Sequence, residues 1–133
     1  MLEIIKLDDG RSVIERAVTW QNPLTLKVFY VPAGFVTDFV STKFLKMPAK
    51  CDIAAVFHDV DYWFQNKTRR ESDYDYKMNL QAFDVSSWVY NSHLMALRAF
   101  GWVAWNANHE QRKVEGDANK ILDTSYLSDV KPV

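Results

Sequence analysis

Cys51 is the only cysteine of the chain, so no intrachain disulfide can form and the fold stands on packing and hydrogen bonds alone. Glycine and proline are also sparse, at four each in 133 residues. No phosphate-cradling glycine loop is present, and the sequence contains no Gly-x-Ser-x-Gly elbow, His-Glu-x-x-His helix or paired-cysteine zinc spacing. Those absences leave most common enzyme classes without support. Neither sign of charge is in excess: 16 Lys plus Arg stand against 17 Asp plus Glu, for a formal net charge of -1. That balance excludes a strong global pull toward nucleic acid or an anionic membrane. Arg69-Arg70 and Arg112-Lys113 are too short to count as polybasic runs, and each has an acid within two residues. Uninterrupted apolar runs reach only four or five residues, against the ~20 that a transmembrane helix needs. The opening Met-Leu-Glu-Ile-Ile-Lys has an acid at position three and no basic start, long apolar stretch or small-residue cleavage site, so no signal peptide is expected.

What the chain does have is apolar content, at 48% of its residues, enough for one well-buried core in a domain of this length. A single domain over residues 1–133 is expected, mainly strands in 1–40, helices in 50–110 and a polar C-terminal arm over 114–133. Ile4 to Leu7 and Ser12 to Glu15 flank an Asp8-Asp9-Gly10-Arg11 turn, and the Asp-Gly pair suits a tight hairpin. Thr25 to Val31, entered after Asn22-Pro23, alternates and is β-branched and aromatic, which predicts a third strand. Phe35 to Thr37 is a candidate fourth. Further on, Ile53, Val56, Phe57, Val60 and Phe64 recur at three- and four-residue steps, predicting a helix over 51–64. Thr68 with Glu71 has the capping-box pattern, so a second helix starts there and runs to about Phe83. A third, from Ser86 or Ser87 to about Asn108, carries Tyr90, Leu94, Leu97, Gly101 and Trp105 on one stripe. Trp63, Trp88, Trp102 and Trp105 all fall in these helices, and most are expected in the core. The fold class expected is α+β: an N-terminal antiparallel hairpin plus one or two strands, packed against three C-terminal helices.

The first two helices are joined by so few residues that they must lie antiparallel. His58 and Tyr62 are four apart and share a face, while Asp59 is rotated from His58 by about 100°. Asp73, flanked at four-residue steps by Arg69 and Lys77, is placed to reach the His58 face. An aspartate that accepts a hydrogen bond from one imidazole nitrogen raises the basicity of the other, which is what a general base needs. The candidate catalytic set is therefore His58, Asp73, Tyr62 and Arg69. Asp38 and Ser41, in the connection before the helices, are candidate binding residues. Asp59 is the candidate metal ligand, for a hard divalent cation such as calcium. The purely structural alternative is that the same residues form a polar staple where helices meet strands, each satisfying its own hydrogen bonds. Ala54 and Ala55, one turn before His58, leave room either for a substrate or for a close helix neighbour.

Val31-Pro32-Ala33-Gly34-Phe35-Val36-Thr37-Asp38, Ser41, the run Ala54 to Tyr62, Arg69 with Asp73, and Arg98-Ala99-Phe100-Gly101-Trp102 together resemble a family of small phage and prophage proteins, domain of unknown function 1353. The likeness runs from about Thr25 to Trp105 and implies a virus-encoded protein of the host cytoplasm or virion, without implying a reaction. After Ser41, where that family tends to place a proline, this chain continues Thr42-Lys43-Phe44. A weaker similarity is to phospholipase A-two, whose catalytic helix carries His-Asp-x-x-Tyr facing an aspartate on an antiparallel helix. By that likeness His58 is the base, Asp59 a calcium ligand, and Asp73 with Tyr62 the orienting pair. The glycine-rich calcium loop and the disulfides of that family are missing, so the likeness is one of site and not of descent. Three functions follow: a phage accessory or virion-associated protein with a hydrolase-like site, a structural tail or baseplate protein, or an inhibitor of a host defence protein. Other phage structural proteins, or further copies of the chain, are the expected partners.

Overall fold

A computed structural model of the chain describes residues 3–9, 11–37, 51–118 and 120–123. The elements run β1 (Ile4–Lys6), β2 (Ser12–Ile14), β3 (Val18–Gln21), β4 (Val28–Val31), β5 (Val36–Thr37), α1 (Asp52–Phe64), α2 (Arg69–Ala82) and α3 (Ser87–Glu115). The architecture is α+β, with antiparallel strands in two small sheets packed against three helices.

The first sheet has the order β1-β2-β5. Its hairpin pairs Ile5 with Val13 and is closed by the Leu7 amide donating to the Arg11 carbonyl at 2.9 Å. The second sheet corrects the sequence expectation. The strand expected over 25–31 is shorter, Val28–Val31, and it pairs with β3, for which no strand was expected. Asn22 makes this hairpin. Its side-chain oxygen accepts the Leu24 amide at 2.7 Å, and its main chain exchanges hydrogen bonds with Leu26 and Lys27. Leu26 takes the left-handed conformation (φ 62) that the tight reversal demands.

Helix α1 is buried on two sides. Ile53, Val56, Phe57 and Trp63 join Ile14, Val18, Phe29, Val31 and Phe35 in the core between helix and sheets. On its other side Cys51, Ala54 and Ala55 pack with Tyr76, Leu80, Val85 and Val89 of the helical layer. The two alanines thus admit a close helix neighbour. α1 ends at Gln65 in the left-handed conformation (φ 54), and α2 begins at Thr68, whose hydroxyl accepts the Glu71 amide at 3.1 Å.

The third helix also differs from expectation. It continues to Glu115, and its buried residues are Val89, His93 and Gly101. Of the four helical tryptophans only Trp63 is fully buried; Trp88 and Trp102 are exposed at 73% and 55%. Beyond α3 the chain folds back onto the sheet. Ile121 bridges Phe35, and Leu122 donates to the Gly34 carbonyl at 2.8 Å. Gly34 has φ +87, and a Cβ there would collide with the Leu122 carbonyl, so only glycine fits this crossing. The rest of the expected arm, 124–133, lies outside the described residues.

Candidate functional site

The antiparallel packing of α1 on α2 sets Tyr62 beside Asp73 and His58 beside Tyr76. Asp73 Oδ1 is shared. It accepts from His58 Nε2 at 2.8 Å and from the Tyr62 hydroxyl at 2.7 Å. Its other oxygen lies 3.9 Å from Arg69 Nη1, and that guanidinium also donates to the Leu97 carbonyl of α3 at 3.3 Å. Burial, and then the Asp73 carboxylate, push the Tyr62 hydroxyl well above the ordinary phenol range. Tyr62 is therefore a fixed proton donor to Asp73 and does not ionise near neutrality.

The imidazole of His58 lies between two aromatic rings, with centroids 4.2 Å from Tyr62 and 4.7 Å from Tyr76. His58 is only 9% exposed. Behind it the Tyr76 hydroxyl meets His93 Nδ1 at 2.7 Å. Burial, and next the nearby His58, hold the His93 imidazole below its usual range. Burial foremost, aided by the charges of Cys51 and Asp59, raises Tyr76. Both shifts favour a neutral pair, and the His93 tautomer sets which of the two donates. His58, Tyr62, Asp73, Tyr76 and His93 thus form one continuous polar seam across the three helices.

Asp59 is rotated on α1 from His58, and its charge acts on Tyr76. Its carboxylate accepts from the Thr37 hydroxyl of β5 at 2.7 Å, tying α1 to the sheet. Among the described residues no three His, Cys, Asp or Glu side chains gather in a way that would hold a metal ion, around Asp59 or elsewhere. Asp38 and Ser41 lie outside the described residues. His58, Tyr62, Asp73 and Arg69 are brought together, and Asp59 is not one of that group.

Beside the seam, between α2 and α3, a groove of about 530 Å³ opens to solvent, lined by Arg69, Arg70, Asp73, Tyr74, Lys77, Leu94 and Arg98. Asp73 reaches this groove and His58 does not. Lys77, which the sequence places as a cationic neighbour of Asp73, has no ion pair among the described residues and faces the groove instead.

A second charged cluster escaped the sequence reading. Asp75, 1% exposed, receives Lys27 Nζ on Oδ1 at 2.7 Å and Lys67 Nζ on Oδ2 at 2.8 Å. Lys67 also reaches Asp61 at 3.3 Å. The only advance signal was weak: Asp75 is two residues from Asp73 and so projects from a different side of α2. No protein-family model, curated protein or solved structure matches the chain, so the resemblance to the phage family rests on the quoted motifs alone.

Proposed function

We propose that this is a phage-encoded accessory or virion-associated protein that works by binding, and that its His-Asp-x-x-Tyr cluster staples the helices together instead of hydrolysing a substrate. The observation that carries this reading is the placement of His58. Its Nε2 is committed to Asp73, its ring lies between Tyr62 and Tyr76, and the groove between α2 and α3 touches Asp73 without touching the imidazole. A general base needs reach to the proton it abstracts. A staple needs hydrogen bonding and burial, and His58 has the Asp73 bond and is buried. The phage origin is supported by the order and spacing of the motifs from Val31 to Trp102. Phage structural proteins or further copies of the chain are the partners this reading implies, in the virion or the host cytoplasm.

The test pairs thermal melting with a panel of ester, amide and glycan substrates, on the parent and on His58→Ala. Removing one member of a buried charge-assisted pair costs about 3 kcal/mol, so the variant should melt several degrees lower, with no hydrolysis in the parent to lose. Hydrolysis that vanishes in a variant melting like the parent would establish His58 as a base and overturn the reading.

A further inference from the structure

Arg69 and Arg70 occupy the first turn of α2, where the helix dipole favours acids and disfavours cations. Residues 69, 70, 73, 74 and 77 all line one groove, and α3 closes its other wall with Leu94 and Arg98, one turn apart. Four cations therefore converge on one space in a chain whose net charge is -1.

The acid in that groove does not offset them. Asp73 Oδ1 is taken by His58 and Tyr62, and its remaining oxygen faces Arg69. Arg70, Lys77 and Arg98 have no ion pair or side-chain hydrogen bond among the described residues. Three unpaired cations gathered around one groove repel one another, and the local sequence rule is broken at the helix start. A folded protein tolerates such a conflict where a ligand resolves it. The seam behind the groove supplies rigidity, because Arg69 is held by Leu97 and Asp73 while the Asp73 carboxylate is held from α1.

We infer that this groove binds a small anion carrying two or more phosphoryl charges. Guanidinium groups match phosphoryl oxygens through paired N–H donors, and Lys77 adds a point charge. The volume suits a small molecule. A nucleic-acid backbone fits less well, since the cations are confined to one groove and do not form a stripe along the surface. Tyr74, 53% exposed, and Leu94 give the groove a partly apolar wall, which a nucleoside would cover and a free polyphosphate would leave bare.

Isothermal titration of the full chain with pyrophosphate, ADP, orthophosphate and adenosine tests this. Saturable binding of pyrophosphate or ADP below ~1 mM is expected, weakening as salt rises, with orthophosphate weaker and adenosine alone inert. The Lys77→Gln/Arg98→Gln double variant should bind roughly tenfold more weakly or worse while melting like the parent, and Arg70→Gln gives an independent second readout. ADP binding well ahead of pyrophosphate, with the advantage lost in Tyr74→Ala, identifies a nucleotide; equal binding identifies a free polyphosphate. No saturation by either ligand, or affinity unchanged in both groove variants, overturns the inference. None of these substitutions touches the His58 staple, so failure here leaves the proposed function to its own test.

Discussion

Asp73 and Asp75 are two residues apart on α2 and hold different parts of the molecule. Asp73 faces the helical seam, whereas Asp75 faces the sheet side and joins β4's hairpin loop, through Lys27, to the α1–α2 turn, through Lys67. Burial without full pairing is the costly case, and Asp75 at 1% exposure avoids it with a lysine on each oxygen. Asp75→Asn keeps the shape and removes the charge, stranding Lys67 beside Asp61 alone; a loss of about 3 kcal/mol is expected in urea unfolding. Tyr62→Phe removes one hydrogen bond to a carboxylate that keeps two other neighbours, and about 1 kcal/mol is expected. If the order of the two losses is reversed, the load lies on the seam and not on the Asp75 pairs. Sequence spacing could place Asp73 toward His58, because both sit on helices whose relative direction the short loop dictates. It could not place Asp75, because one of its two partners, Lys27, comes from a hairpin loop far away in the chain.

Among the elements, α3 departs most from its expected pattern. Sequence spacing predicts one stripe through Tyr90, Leu94, Leu97, Gly101 and Trp105, yet the buried positions are Val89, His93 and Gly101. The helix changes neighbours along its length. Its first part packs on α2 through Tyr76 and His93, and its later part meets α1 through Tyr62 and Trp105, whose rings stand edge to face 5.1 Å apart. One stripe cannot describe a helix with two successive partners, and the periodicity is averaged over both. Gly101 marks the changeover: an added Cβ there would sit 2.9 Å from the Tyr62 hydroxyl and 3.2 Å from Arg69 Nη1. Alanine in a helix ordinarily gains about 1 kcal/mol over glycine, but overpacking costs about 1–3 kcal/mol, and the hydroxyl is pinned by Asp73. Gly101→Ala should therefore lower the melting temperature. In the Tyr62→Phe background, where the obstructing oxygen is gone, the same change should be neutral or stabilising. A stabilised single variant would mean the helices separate at no cost and would remove the close approach as a constraint.

Across the whole molecule, stability and pH are linked through the seam. The His93 pKa is depressed in the folded state, by burial first and by His58 second, so the unfolded chain binds more protons below the ordinary histidine value. The contribution of neutral His93 is then complete above about pH 6.5 and is lost as pH falls through the depressed folded value. Unfolding free energy should decline from pH 7 to pH 5, and His93→Gln, which keeps an acceptor for Tyr76, should flatten that decline. An unchanged slope in the variant would move the effect elsewhere, with Asp61, raised chiefly by its burial, acting in the opposite direction. The kinds of element, their order and the helix start at Thr68 follow from local chemistry: residue periodicity, turn pairs and capping act over a few positions and need no partner. β3 did not follow, because four residues gain strand geometry only from the strand beside them. The approach of His58 to Asp73 was implied by two helices on a short loop. What the sequence alone could not decide was exposure. Whether an imidazole faces a cleft or two tyrosine rings, and whether Lys77 and Arg98 meet across a groove, depends on how helices distant in the chain pack together, and that is settled only when the surfaces close on one another.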